Sequence, residues 1–220
     1  IKNIKEVYYQ NGNYKYIETS GNKIFLKDID GNFYIFIFDG KLKMLFSLYS
    51  GDDSSNFCFF QNYIIIAGNQ ILILDISDIE NVKVINKIKS SPCYYVKVEE
   101  NKYLFSFGWD IFIWNISNVL NPVLLFTEPF YYEVLNFKKI KDKAFIGTLY
   151  YGLVLYDIDL SKNNEKFNFL RCLISPGISH DLKKSREYIF LSNFYSGTAI
   201  LDNNLNWMRK LGTPYANTDL

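Results

Sequence analysis

One phrase occurs five times along this chain. An apolar run closes on Asp or Asn: FYIFIFD at Asp39, ILILD at Asp75, IFIWN at Asn115, LVLYD at Asp157 and TAILD at Asp202. Successive copies stand 36, 40, 42 and 45 residues apart. Short runs rich in Ile, Leu, Phe and Tyr suit a pleated, buried surface and read as strands. A strand that returns about every 40 residues marks an array of β units, each stacked on its neighbours to bury a common core.

The copies divide the chain into repeats at 14–50, 52–90, 91–127, 128–174 and 175–211, and each repeat reads as four short strands. The third shows the pattern. Strands are expected at 94–98, 103–107, 111–116 and 123–126, with turns at 99–102, 108–110 and 117–122 where Gly, Asn, Asp and Pro gather. The third strand of each repeat is almost wholly apolar, as expected where both faces of a sheet are covered. A sandwich with one wet face would alternate more cleanly. The fold class is therefore all-β, a β-propeller of four-stranded antiparallel blades in one domain spanning 1–220, with about five blades visible. At 220 residues, 49% of them hydrophobic and 18% aromatic, the chain has ample material for such a core. Residues 4–9 look like a fourth strand and 213–216 like the start of a first. With Ile1 rather than Met in first place, the chain is expected to be a piece of a larger ring of roughly six to eight blades.

The third strand with its turn resembles the LVIVD repeat of bacterial propeller proteins, within the wider YVTN/WD-like propellers. Asp75-Ile76-Ser77-Asp78 and Asn115-Ile116-Ser117-Asn118 carry the likeness, Asn121-Pro122 keeps the turn, and 152–159 matches the stretch from Gly to Asp. The first and fifth repeats, with Phe38-Asp39-Gly40 and Asp202-Asn203-Asn204, lack the Ile-Ser step. The resemblance implies a bacterial propeller placed outside the cytoplasm or at the cell surface, without an assigned activity. The repeated Asp has a physical role of its own: its carboxylate can accept from the amides that follow and hold the turn. A calcium loop would need several carboxylates close together, and Asp75, Asp78 and Glu80 are the nearest approach. Turn capping is the expectation, with no metal and no cofactor.

Charge narrows the partners. With 24 basic and 23 acidic residues the net charge is +1, which provides no broad field for nucleic acid. No apolar stretch approaches the roughly 20 residues of a membrane-spanning helix. Cys58, Cys93 and Cys172 are far apart and are expected to be buried small hydrophobes. The single histidine, His180, has Ser179 and Asp181 as sequence neighbours, which on a strand would face away from it.

Topology points to the candidate site. In a four-stranded blade, the connector from the fourth strand to the next blade and the turn between second and third strands share one end. These segments hold Tyr94, Tyr95, Trp109, Tyr131, Tyr132, Tyr150, Tyr151, His180 and Tyr195. At the other end the turns are basic, at 138–143 and 183–187. Exposed Tyr and Trp offer large rigid area with a polar tip and mark recognition surfaces. The expected function is a non-enzymatic scaffold that binds a protein or a glycan through an aromatic face at the central channel mouth. The alternative is a glycan-acting hydrolase or lyase, for which Glu133 with His180 is the available acid–base combination. The basic turns could hold anions, although lysines at hairpin tips commonly serve solubility alone.

Overall fold

The structure is a computed structural model that describes residues 14–51, 55–149, 152–160, 166–173, 179–185, 187–193, 197–202 and 206–211, with the backbone alone at 166–167, 171–173, 179–182, 193, 207 and 210. The expected strands at 4–9 and 213–216 lie outside the described residues. Twenty strands form five four-stranded antiparallel sheets, each in chain order. The first sheet holds β1 (Tyr14–Ser20), β2 (Lys23–Asp28), β3 (Asn32–Phe38) and β4 (Leu42–Tyr49). The second holds β5 (Phe57–Phe60), β6 (Tyr63–Ile66), β7 (Ile71–Asp75) and β8 (Lys83–Ile88). The third holds β9 (Cys93–Glu99), β10 (Tyr103–Gly108), β11 (Asp110–Asn115) and β12 (Val123–Pro129). The fourth holds β13 (Val134–Ile140), β14 (Lys143–Thr148), β15 (Gly152–Asp159) and β16 (Lys166–Leu173). The fifth holds β17 (Ser179–Ser185), β18 (Tyr188–Asn193), β19 (Gly197–Asp202) and β20 (Trp207–Leu211). Among the described residues there is no helix long and apolar enough to cross a membrane.

The first three strands of the third sheet fall within one residue of where the pattern put them, and the fourth differs by more. β12 runs on to Pro129, three residues past the expected end at 126. Proline lacks the amide that a ladder needs, but the last residue of a strand at a sheet margin can lack one without loss. Buried third strands also follow: Ile71, Leu72, Ile73 and Leu74 of β7 are all buried, as are Leu153, Val154, Leu155 and Tyr156 of β15. The turns between first and second strands are tight. Glu100 and Asn101 both take positive φ, 53° and 50°, as a two-residue hairpin loop requires.

The repeated Asp or Asn holds the turn after the third strand. Ser77 N donates to Asp75 Oδ1 at 2.9 Å, and Ser117 N donates to Asn115 Oδ1 at 3.0 Å. The next polar residue repeats the device: Glu80 N donates to Asp78 Oδ1 and Leu120 N to Asn118 Oδ1, both at 3.1 Å. These local bonds lower the Asp75 carboxyl below its ordinary range, chiefly through Ser77.

The described residues group into two compact units. One holds those up to Ser106 together with Ile113–Leu124; the other holds Phe107–Phe112 and those from Leu125 onward. In the first unit Phe25, Phe33 and Ile35 pack against Phe57, Ile64, Leu72 and Leu74 of the next sheet. Asn56 then ties β5 to β9, donating from Nδ2 to Val96 O at 3.1 Å and accepting from Val96 N at 2.7 Å. In the second unit Phe145, Leu153 and Leu155 pack against Ile189, Leu191, Ala199 and Leu201.

One backbone bond recurs and fixes the ends of the sheets. A residue between the fourth strand of one blade and the first of the next, or opening that first strand, donates its amide to the turn between second and third strands: Ser50 N to Gly31 O, Cys93 N to Gly68 O and Phe130 N to Trp109 O, at 2.8–2.9 Å. All three donors are buried. The approach is so close at Gly68 that a β-carbon there would run into the Ser50 carbonyl.

Candidate functional site, an aromatic surface of the second compact unit

The bond from Phe130 to Trp109 assembles the aromatic surface. It lays the connector 130–133 along the one-residue turn between β10 and β11. Phe130 points inward and is 1% exposed, while its neighbours Trp109 and Tyr131 are 58% and 76% exposed. The floor is aromatic. Phe130 lies 5.0 Å edge-on from Tyr132 and 6.1 Å from Phe107, and Phe107 meets Phe137 at 5.2 Å. Tyr156 adds a further ring, 6.5 Å from Phe130 and edge-on to Phe169 at 5.6 Å. Rings packed edge to face hold one another in place, so Phe130, and with it the connector that carries Tyr131, is anchored in a packed aromatic cluster.

Acidic groups accompany the rings. Asp110 follows Trp109, and Glu128 and Glu133 flank Phe130-Tyr131-Tyr132. Burial, then the charge of Glu128 and the neighbouring Tyr132, push the Tyr156 hydroxyl up to about 12. It stays protonated at neutral pH and can only serve as a neutral donor or acceptor. Glu133 is exposed, and its backbone oxygen accepts from Leu149 N at 3.0 Å.

The other expected site residues are placed as follows. Tyr94 and Tyr95 are half-buried on β9, in the first compact unit. Tyr150, Tyr151 and Tyr195 lie outside the described residues. His180 is on β17, and only its backbone is described. Trp114, which is not among the candidates, is buried, and its Nε1 donates to Ser106 Oγ at 3.4 Å. Cys58 and Cys93 form no disulfide. Burial pushes the Cys58 thiol up to about 12, which leaves it unreactive at neutral pH. Among the described residues no cluster of His, Cys, Asp and Glu could hold a metal ion.

Sequence reasoning missed the floor of the surface and a polar counterpart in the first unit. Phe107 is the fifth of the six residues of β10, and Lys27 is the fifth of the six of β2. Where Phe107 supports the rings, Lys27 is fully buried and donates to Ser55 Oγ and, at 3.1 Å, to Ala67 O. Beside it the Asp28 carboxylate accepts from Asp30 N at 3.0 Å, Asn32 N at 2.8 Å and Tyr34 Oη at 2.9 Å. A lysine inside an apolar strand is the signal that could have revealed this network.

Comparison with known proteins supports the fold. No protein-family model matches the chain, and no curated protein matches it. Among solved structures it is similar to a protein from Lactobacillus plantarum, with TM-score 0.68 and 11% identity over 93% of this chain and 72% of that one. It is similar to the Pan2 WD40 domain of Neurospora crassa, with TM-score 0.63 and 12% identity over 91% and 66%. The third is BamB from Moraxella catarrhalis, with TM-score 0.59 and 11% identity over 80% and 53%. The chain thus spans between about half and three quarters of the length of these structures. Five four-stranded antiparallel sheets with these neighbours are the blades of a β-propeller.

Proposed function

We propose that the chain is a non-enzymatic scaffold that binds a protein or a glycan through the surface formed by Trp109, Tyr131 and Tyr132. One observation carries this reading. Two large aromatic side chains, Trp109 and Tyr131, are exposed on segments that a backbone bond of 2.8 Å from Phe130 to Trp109 ties together, and Phe130 itself packs among buried rings. Isolated exposed aromatics are ordinary, but aromatics on two segments already tied together by the backbone lose little entropy on binding. The end of a blade that carries this surface is also where the proposal puts the channel mouth. Placement outside a bacterial cytoplasm, which fits the LVIVD-like phrase, belongs to the same proposal. The hydrolase or lyase alternative would need Glu133 with His180, and no observation favours it.

Trp109 is its own reporter. Titration with soluble oligosaccharides and with peptides should find a ligand that shifts its emission saturably. Trp109→Ala combined with Tyr131→Ala, read by calorimetry because the reporter is gone, should then weaken binding at least about tenfold, equal to about 1.4 kcal/mol, with an unchanged thermal midpoint. Full affinity in that double variant would sink the proposal.

A further inference from the structure

The second compact unit holds a second surface, cationic rather than aromatic, at the other end of its blades. It is built from the first strands of neighbouring blades, β13 and β17, which approach within 8 Å at Cα. Cross-strand partners share one face of a sheet. Lys138 pairs with Phe145, and Phe145 belongs to the cluster packed toward the fifth blade. Ile140, two residues on and so on the same face, packs against that cluster too. From the other side, Lys184 pairs with Ile189, which faces Phe145 in the same cluster. Lys138 and Lys184 therefore project from opposite walls into one crevice between β13 and β17. Lys139 and Lys183 alternate to the outer faces.

Both lysines are exposed, and so is Lys141 at the adjoining hairpin tip. The acidic groups near that tip are engaged elsewhere. Asp157 pairs with Lys143, and Asp142 lies 3.5 Å from the same Lys143. Glu187, exposed at the next tip, is the remaining acidic residue of these two turns. The first unit shows the corresponding crevice closed. There the positions of Lys138 and Lys184 are taken by Glu18, paired with Phe25, and Phe59, paired with Ile64. Phe59 closes that crevice by packing edge-on against Phe25, with centroids 4.9 Å apart.

We infer that the crevice between β13 and β17 is a binding site for a tetrahedral oxyanion, phosphate or sulfate, held between Lys138 and Lys184. Two ammonium groups on facing walls repel one another, and a dianion between them turns that repulsion into two charge-assisted hydrogen bonds. The inference is independent of the aromatic surface and survives its failure.

The test is calorimetric titration of the intact chain at low salt. The probes are inorganic phosphate, inorganic sulfate and short-chain polyphosphate. Saturable binding that weakens as salt rises is expected. Lys138→Gln with Lys184→Gln should lose at least about tenfold in affinity, while Lys183→Gln, on the opposite face, should lose less than about threefold. Binding of the inorganic ions supports the site as a free-ion site, and binding of polyphosphate alone supports it as a site for the same group on a polymer. The inference is overturned if none of the probes binds, or if Lys183→Gln costs as much as the double variant. An unchanged thermal midpoint in each variant confirms that folding is not the cause.

Discussion

Two of the blade-to-blade crevices solve one packing problem in opposite ways. Between the first and second blades, Phe59 folds over Phe25 and the inner margin is closed by aromatic contact. Between the fourth and fifth, the equivalent margin carries Lys138 and Lys184 and stays wet, while the core below it is just as apolar. The contrast shows where this fold is free to vary. Third strands and their neighbours must fill space, so they are Ile, Leu and Phe in both. At the ends of the first strands water can reach, and either a ring or a charge is compatible with the fold. A further contrast runs through the second strands, where Lys27 supports a polar network and Phe107 an aromatic one at the same position of the strand.

The comparison can be broken by substitution. The largest effect is expected beneath the closed crevice: Phe25→Ala should cost about 3–5 kcal/mol in denaturant unfolding, because Phe25 is buried against Phe59 and the next blade. A loss below about 1 kcal/mol would mean that the core there can collapse into the gap. Phe59→Lys would put the lysine of the open crevice into the closed one, opposite Glu18. It should destabilise by about 1–3 kcal/mol, whereas Lys184→Phe should stay within about 0.5 kcal/mol, as a surface change does. Equal costs would show that the two crevices are not alternatives.

A smaller effect is expected from pH. Burial alone would raise the Asp28 carboxyl, but donors from Asn32, Tyr34 and Asp30 outweigh it and hold the group below its ordinary range. The stabilisation is complete above the unfolded value of about 3.9 and is lost as pH falls through the lower folded value. Asp28→Asn should therefore flatten the stability profile below about pH 4, and an unchanged acid limb would refute this. A modest local change is Asn115→Ala, which removes the cap on Ser117 N and should cost about 0.5–1 kcal/mol. A cost above about 2 kcal/mol would assign the turn a role in packing as well.

Much of the fold was legible because its signals are local. The strands of the third repeat could be located from apolar runs and from the Gly, Asn and Asp between them. The capping role of Asp75 and Asn115 followed from their place at the end of each run. β12 ran past its expected end because pairing with β11 extends it, and a partner strand leaves no mark in the residues themselves. The site was legible in part. Trp109 and Tyr131 could be named as exposed turn aromatics, while Phe107, Phe130 and Tyr156 were invisible as its floor. Those three come from different strands and a connector, and their meeting depends on how adjacent blades stack.

By itself, then, the sequence determined the period, the strands, the capped turns and the residue types offered at each blade end, since these depend on neighbours a few positions apart. Only the tertiary structure decided which of those residues meet. The bond from Phe130 to Trp109 tied together two aromatic segments distant in sequence, and cross-strand pairing put Lys138 and Lys184 on facing sides of neighbouring blades. Both depend on register and on the facing of packed sheets. A shift of one residue would send each of those side chains to the other face, and nothing in the local pattern reports which neighbour that face meets.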